Sequence, residues 1–131
     1  MKQKMPGKHV FEYAVVRVVP RVEREEFINV GVVLYCKKLK FLQAIITVNE
    51  QRICCFTNQD EAQNIKANLR AFELICQGSA EGGPIAQLDE ASRFRWLTAT
   101  RSTVVQASKV HPGLSDNPQQ TLLRLHEQLV L

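Results

Sequence analysis

The densest group of side chains that could do acid–base or anion chemistry lies between residues 17 and 29. Three glutamates and an asparagine stand there beside three arginines: Glu23, Glu25, Glu26, Asn29, Arg17, Arg21 and Arg24. Carboxylates at the start of a strand can hold a divalent cation or act as a base. The same residues can also form a solvated turn whose ion pairs add little stability. Glu26 is the exception, because it directly precedes the apolar run at 27–33, where a carboxylate needs a partner.

A second polar group, TATRST, occupies residues 98–103. Arg101 offers a planar guanidinium to a phosphate or carboxylate, and the hydroxyls of Ser102 and Thr103 can add hydrogen bonds. No glycine-rich loop is present, so this is not a P-loop. Hydroxyl residues also cap helices and begin strands, and a structural turn is the alternative. The two groups together define one candidate polar or anion-binding cluster: Arg17, Glu26, Asn29, Arg101, Ser102 and Thr103.

The cysteines and histidines do not form a metal-ligand pattern. Cys54 and Cys55 are adjacent and would point to opposite faces of a strand, whereas zinc sites use spaced pairs. Cys36 and Cys76 also lie in apolar runs, which predicts small buried hydrophobic residues in a reducing compartment. His126 falls on an apolar helical stripe, which is typical of a satisfied core or interface residue. We therefore expect no metal and no cofactor, and no familiar catalytic motif is present.

The length of 131 residues fits a single domain, with residues 1–8 as a flexible basic tail. No apolar run approaches the ~20 residues of a membrane helix, and no apolar stretch follows the basic N-terminus. These features predict a cytoplasmic protein. Residues 1–40 carry a net charge of +5 and residues 41–131 carry −1, so the first third could attract nucleic acid. Few aromatic residues accompany these charges, which favours solubilising lysines instead.

The apolar patterns predict an α+β fold. Alternating β-branched and aromatic residues predict strands at 9–19, 28–36, 41–48 and 102–109, with a short one at 52–56. Gly31 indicates a bulge or a close backbone approach, and HPGLSDNP reads as a turn. Helical spacing and capping signals predict helices at 59–77, 85–92 and 118–130, whereas residues 94–99 fit a helix or an extended segment. Short links favour a mainly antiparallel sheet of four to five strands, with helices packed on one face.

Two stretches carry a resemblance to a known family. They are VVRVVPRVEREEFINVGVVLY and RFRWLTATRSTVVQASKVHPGLSDNP, followed by a leucine-rich helix. From about Tyr13 to Leu129 the chain resembles a bacterial family called domain of unknown function 3037. The resemblance implies no activity, but it implies a HipA-like kinase as a partner, because members are often encoded beside one. The family pattern holds seven residues that are all present in this chain: Arg17, Pro20, Glu26, Asn29, Gly31, Arg101 and Ser102.

Three functional hypotheses follow. The leading one is a non-enzymatic protein-interaction module in the bacterial cytoplasm, with a HipA-like kinase as partner. The alternative is a phosphate- or nucleotide-processing enzyme that uses Glu26 as base or metal ligand, while Arg17 and Arg101 stabilise charge. The third is nucleic-acid binding through the basic first third. A separate prediction is that Arg17, Glu26 and Arg101 share one polar cluster with Asn29 and Ser102, either as a buried structural group or as the lining of a pocket.

Overall fold

The computed structural model describes residues 8–19, 26–49, 51, 59–99 and 104–131. Its strands are β1 (His9–Val18), β2 (Ile28–Cys36), β3 (Phe41–Ile46), β4 (Val105–Ala107) and β5 (His111–Ser115). Its α-helices are α1 (Gln59–Gln77), α2 (Glu90–Thr98) and α3 (Pro118–Leu129), and 3₁₀ turns at Ala80–Gly82 and Ile85–Gln87 join α1 to α2. No helix in these ranges is long and apolar enough to cross a membrane. The predicted tail at 1–7 and the predicted strand at 52–56 lie outside the described residues.

The five strands form one antiparallel sheet, which confirms the predicted α+β class. The order is β3, β2, β1, and both β4 and β5 pair with the other side of β1. Four backbone residues, Lys37 to Lys40, join β2 to β3 in a tight turn closed by a hydrogen bond from Lys40 N to Lys37 O. Such short links between consecutive strands leave room only for antiparallel pairing.

The segment predicted as a turn after the last strand is itself a strand, so that prediction was wrong. HPGLS forms β5, and His111 to Ser115 pair with Tyr13 to His9 of β1. The sequence suggested a turn because Pro112 and Gly113 are common in turns. β1 is ten residues long, however, and only its last three pair with β4. The rest of β1 therefore needs a second partner, and an edge strand tolerates a proline.

Helices cover both faces of the sheet, whereas the sequence placed them on one face. Val30, Val33 and Tyr35 of β2 pack with α1 and α2, while Val32, Leu34 and Cys36 pack with Leu122 and Leu125 of α3. The physical reason is visible in the β2 sequence INVGVVLYC. A strand that is apolar at nearly every position must be covered on both sides. We call the two sides the α1/α2 face and the α3 face.

The predicted helices at 59–77 and 118–130 are confirmed, whereas the predicted helix at 85–92 was wrong: Ile85–Gln87 form a 3₁₀ turn, and α2 begins only at Glu90, because the side chain of Asp89 caps it there. α1 buries Ile65, Leu69, Phe72 and Cys76 on one stripe and ends at Gly78, whose φ of 71° is the left-handed conformation that glycine adopts readily. At the start of α3 the Asn117 side chain accepts a hydrogen bond from Gln120 N at 3.1 Å, with Pro118 at the first helical position. The ambiguous segment at 94–99 is helical as far as Thr98.

A bulge interrupts β2 at Gly31, as the sequence predicted. Val16 pairs with Gly31 but Arg17 pairs with Asn29, so Val30 is an extra residue in β2. A Cβ atom at Gly31 would lie 2.5 Å from Ile45 O, which excludes any larger residue without a shift of β3. The extra residue reverses the alternation of side chains below it. Ile28 and Val30 therefore join the α1/α2 face, and Asn29 turns to the α3 face.

Candidate functional site

Arg17 and Asn29 are the two predicted site residues that the described structure brings together. Arg17 lies on β1 and Asn29 lies opposite it on β2, in register immediately beyond the Gly31 bulge. Directly opposed residues on antiparallel strands point to the same face, with their Cβ atoms ~5 Å apart. Without the bulge Arg17 would stand opposite Val30. The backbone irregularity thus places Asn29 opposite Arg17 on the same face of the sheet.

The Arg17 side chain lies over the ring of Phe27. Its guanidinium carbon is 4.1 Å from the ring centre, which is a cation–π contact. Phe27 itself is 50% exposed, although it is a large apolar residue that follows a charged segment. The pair therefore presents a positive charge on an apolar platform at the surface of the protein. Arginine and aromatic residues in such a setting are common among residues that dominate protein interfaces.

Two buried polar atoms in this pair have no hydrogen-bond partner among the residues that the structure describes. They are Nε of Arg17, which is a donor, and Oδ1 of Asn29, which is an acceptor. A buried polar group that stays unpaired costs about 1–3 kcal/mol. Native proteins keep few of them, and those that remain need an explanation such as a ligand.

A cavity adjoins Asn29 at the C-terminal end of α3. Its volume is about 240 Å³, and its lining is Ile28, Asn29, Val30, Thr47, Asn49, Val130 and Leu131. The other side of the Asn29 amide anchors this end of the helix, because Nδ2 donates to Leu129 O at 3.2 Å. Thr47 Oγ1 and His126 Nε2 are 2.8 Å apart, which links β3 to the same helix. The cavity is therefore fixed by side-chain bonds between sheet and helix.

The remaining predicted site residues are placed only in part. Glu26 is half-buried and lies two residues before β2. Arg101, Ser102 and Thr103 lie outside the described residues. Val104, which follows them in the chain, accepts a hydrogen bond from Val19 N at 2.7 Å. The six-residue cluster accordingly stays a prediction, of which one pair, Arg17 with Asn29, has a described geometry.

One histidine and two cysteines are buried in the described structure: His126, Cys36 and Cys76. His126 is buried and bonded to Thr47, as predicted for a satisfied core residue. Cys36 and Cys76 are buried free thiols, and burial raises the pKa of the Cys76 thiol to about 12. A thiol with so high a pKa stays neutral and is a poor nucleophile. Within the described ranges no three His, Cys, Asp or Glu residues come together as metal ligands. Cys54 and Cys55 lie outside those ranges.

Sequence reasoning did not identify three residues that contact Arg17 or line the cavity beside Asn29: Phe27, Thr47 and Asn49. Phe27 carried a signal, since it is a large apolar residue directly after the glutamates. Thr47 carried none, because its partner His126 is 79 residues away in the chain. Contacts of that kind depend on how α3 packs against the sheet, and local pattern does not specify this.

The fold is that of a small α+β protein with an antiparallel sheet covered on both faces, and a cavity beside Asn29 lies at one end of its last helix. The chain belongs to the family described as "Protein of unknown function (DUF3037)", whose model matches residues 13–130. That match confirms the resemblance seen in the sequence. Searches of curated proteins and of solved structures found no match.

Proposed function

We propose that this protein is a non-enzymatic interaction module that binds a partner protein through the Arg17 surface. This surface comprises Arg17, Phe27 and Asn29, together with Asn49 and Leu131 at the adjoining cavity. The observation that carries the proposal is the Arg17 guanidinium over the half-exposed ring of Phe27, a pair of residue types that often dominate protein interfaces. The exposed Leu131 at the adjoining cavity adds apolar area.

The enzyme hypothesis has less support from the described geometry. It requires a concave pocket that joins Arg17, Glu26 and Arg101. The cavity beside Asn29 has neither Arg17 nor Glu26 in its described lining. Instead, Arg17 is stacked on an exposed ring, which suits contact with another surface better than charge stabilisation inside a closed site.

The resemblance supplies the first partner to test, a HipA-like kinase. We also propose the bacterial cytoplasm as the compartment, and the two buried free thiols support a reducing environment. Co-expression of the full chain with such a kinase, followed by size-exclusion chromatography at micromolar concentration, should give a shared peak. Independent elution of the two proteins would count against this partner.

Matched variants locate the contact. Phe27→Ala should weaken the complex at least tenfold, whereas Leu123→Ala should not, although the two side chains are 50% and 51% exposed. Arg17→Gln should weaken it similarly, while Arg124→Gln, an exposed position on α3, leaves it unchanged. Isothermal titration calorimetry measures both pairs. Equal effects of the site and control variants would contradict the assignment of the surface.

Glu26→Gln separates a structural role from a binding role for the predicted cluster. A structural role predicts a marked fall in melting temperature, with binding reduced only in proportion to the loss of folded protein. A binding role predicts an unchanged melting temperature and loss of the complex. Differential scanning fluorimetry and calorimetry on the same samples distinguish the two.

A further inference from the structure

β3 has an outer edge with which no strand in the described part of the chain pairs. In an antiparallel pair, residues alternate between bonding to the neighbour and directing their backbone groups away from it. Thr47 N donates to Val30 O at 2.7 Å, and the register then continues through Ile46 opposite Gly31 to Phe41 opposite Cys36. The backbone N–H and C=O groups of Leu42, Ala44 and Ile46 are therefore the ones directed to the open edge.

A groove lies along this edge, between β3 and the last turns of α1. Its volume is about 320 Å³. Leu42, Gln43 and Ala44 line it from the strand, and Glu73, Cys76 and Gln77 line it from the helix. We call it the β3 groove. Two of its three strand residues, Leu42 and Ala44, are those whose backbone groups point outward. The groove thus combines unpaired hydrogen-bonding groups with space for side chains, which is what strand addition to a sheet edge requires.

The sequence of β3 contains none of the features that normally protect an edge strand. Its six residues FLQAII include no proline, no glycine and no charge. Natural edge strands are usually shielded by lysines, prolines, bulges or a covering element, because an uncovered edge pairs with other chains. An unprotected edge beside a groove is accordingly a surface that a second chain is expected to cover.

The charge of the groove indicates the kind of chain. Glu73 is the one charged residue in its described lining, and Gln43 and Gln77 add amides. A segment that lies along β3 with a lysine or arginine directed towards α1 would neutralise this carboxylate. A second copy of this protein fits less well. Outward-directed residues must stand opposite each other in an antiparallel pair, so a two-fold axis would pass through Gln43 or Ala44 and would place the Glu73 carboxylates of the two copies on the same face of the joined sheet.

We propose that the β3 groove binds an extended segment of a partner protein as an added strand, with a basic side chain of that segment against Glu73. This surface is separate from the Arg17 surface, because α1 covers the opposite face of the sheet from α3. Strand binding at the β3 groove does not depend on whether the Arg17 surface binds a partner.

The probe is a phage-displayed library of random dodecapeptides, selected on the full chain. A selected peptide is then synthesised with a fluorescent label, and its binding is measured by fluorescence anisotropy. We expect selected peptides to carry a lysine or arginine within a β-branched stretch. Ala44→Pro should weaken binding at least tenfold, because it removes one outward N–H and spares the bonds to β2. Ala107→Pro, which makes the same change on β4 at the opposite edge of the sheet, is the matched control.

Charge and backbone recognition are tested separately. Glu73→Lys should weaken binding at least tenfold, and Glu127→Lys, which makes the same charge change on the exposed side of α3, should leave it within twofold. Methylation of alternate peptide nitrogens should abolish binding to the unaltered protein. This last arm needs no protein variant, so it holds even if Ala44→Pro fails to fold, which circular dichroism would reveal.

Hydrogen exchange followed by nuclear magnetic resonance reports on the edge itself. In the free protein the Leu42 and Ala44 amides should exchange faster than the Gln43 amide, and the peptide should slow them at least tenfold. Protected Leu42 and Ala44 amides in the free monomer would overturn the proposal, since the chain would then cover its own edge. A dimer dissolved by Ala44→Pro, a library that yields no binder, or binding lost with Arg17→Gln but not with Ala44→Pro would overturn it as well. The last result would assign the peptide to the Arg17 surface and leave the proposed function intact.

Discussion

The sheet edge formed by β4 and β5, which we call the protected edge, contains a bulge and a proline. The opposite, open edge, formed by β3, is plain, because it contains neither. Val16 pairs with Ala107 but Tyr13 pairs with His111, so Lys109 and Val110 together stand opposite Ala14 as a bulge. Pro112 removes one donor from the same edge. β3 has neither device over its six residues. Bulges and prolines hinder pairing with other chains, so the first edge is built to stay unpaired.

The difference shows that the protein protects its edges selectively. The same chain that places a bulge and a proline at one side leaves FLQAII without a charge at the other. We interpret the plain edge as a surface kept for pairing. Four predictions test how firmly each edge is constructed, and they are ordered by the size of the expected effect.

The largest effect is expected at Gly113 in β5, on the protected edge formed by β4 and β5. The ring of Phe11 occupies the place that a side chain at Gly113 would need. Gly113→Ala should lower the free energy of unfolding by ~3 kcal/mol, because the buried ring and the paired backbone cannot both stay in place. Urea denaturation measures the change. Gln43→Ala at the open edge, where the side chain is exposed, should change stability by ~0.5 kcal/mol or less.

Arg93 anchors the last turn of α1, which lines the β3 groove. Its Nη1 donates to Ile75 O at 3.1 Å and to Cys76 O at 2.7 Å, and its Nε donates to Leu88 O at 3.0 Å. The two Nη1 bonds go to carbonyl groups in the last turn of α1, where Ile75 O also accepts a hydrogen bond from Gly78 N, and the Nε bond ties the segment before α2 to the same side chain. Arg93→Ala should cost ~2 kcal/mol in urea denaturation. The exposed Arg95→Ala is the control, and an equal loss in both variants would contradict this role.

Cys76 lines the β3 groove, and the ionisation of its thiol tests whether water reaches this part of the groove. Burial raises the pKa of its thiol from 9.0 to about 12, so the fold favours the neutral form. The resulting stability is present below pH 9.0 and is lost as the pH rises towards 12. Relative to Cys76→Ala, the natural protein should lose about 2 kcal/mol between neutral pH and pH ~10.5. Parallel pH profiles of unfolding free energy for the two proteins would show that water reaches the thiol.

The smallest effect is expected at Ser108, directly before the bulge in the protected edge. Its Oγ accepts a hydrogen bond from Val15 N at 2.8 Å and donates to Lys109 O at 2.9 Å. The side chain replaces a backbone acceptor that the bulge displaces. Ser108→Ala should therefore cost ~1 kcal/mol and speed exchange of the Val15 amide. Lys109→Ala, at the exposed next position in the chain, is a suitable comparison in urea denaturation. An unchanged Val15 exchange rate would argue against this account.

Local sequence determined much of this protein. The helical stripe of α1, the glycine at its end and the Asn117–Pro118 start of α3 specify those helices, because each signal lies within a few residues of the bond it makes. Gly31 likewise predicted a bulge or a close backbone approach, and the structure has both at this position. The alternating and continuous apolar runs specified the strands, and with short links they specified antiparallel pairing. The sequence also places the chain in its family, whose model matches residues 13–130.

Tertiary structure decided the rest. HPGLS became a strand because the length of β1 required a partner, which outweighed the turn preference of Pro112 and Gly113. α3 crossed to the second face because β2 is apolar on both sides. Asn29 came to lie opposite Arg17 because one extra residue in β2 reversed its direction. Each outcome depends on contacts between segments far apart in the chain, where burial and strand pairing outweigh local preference.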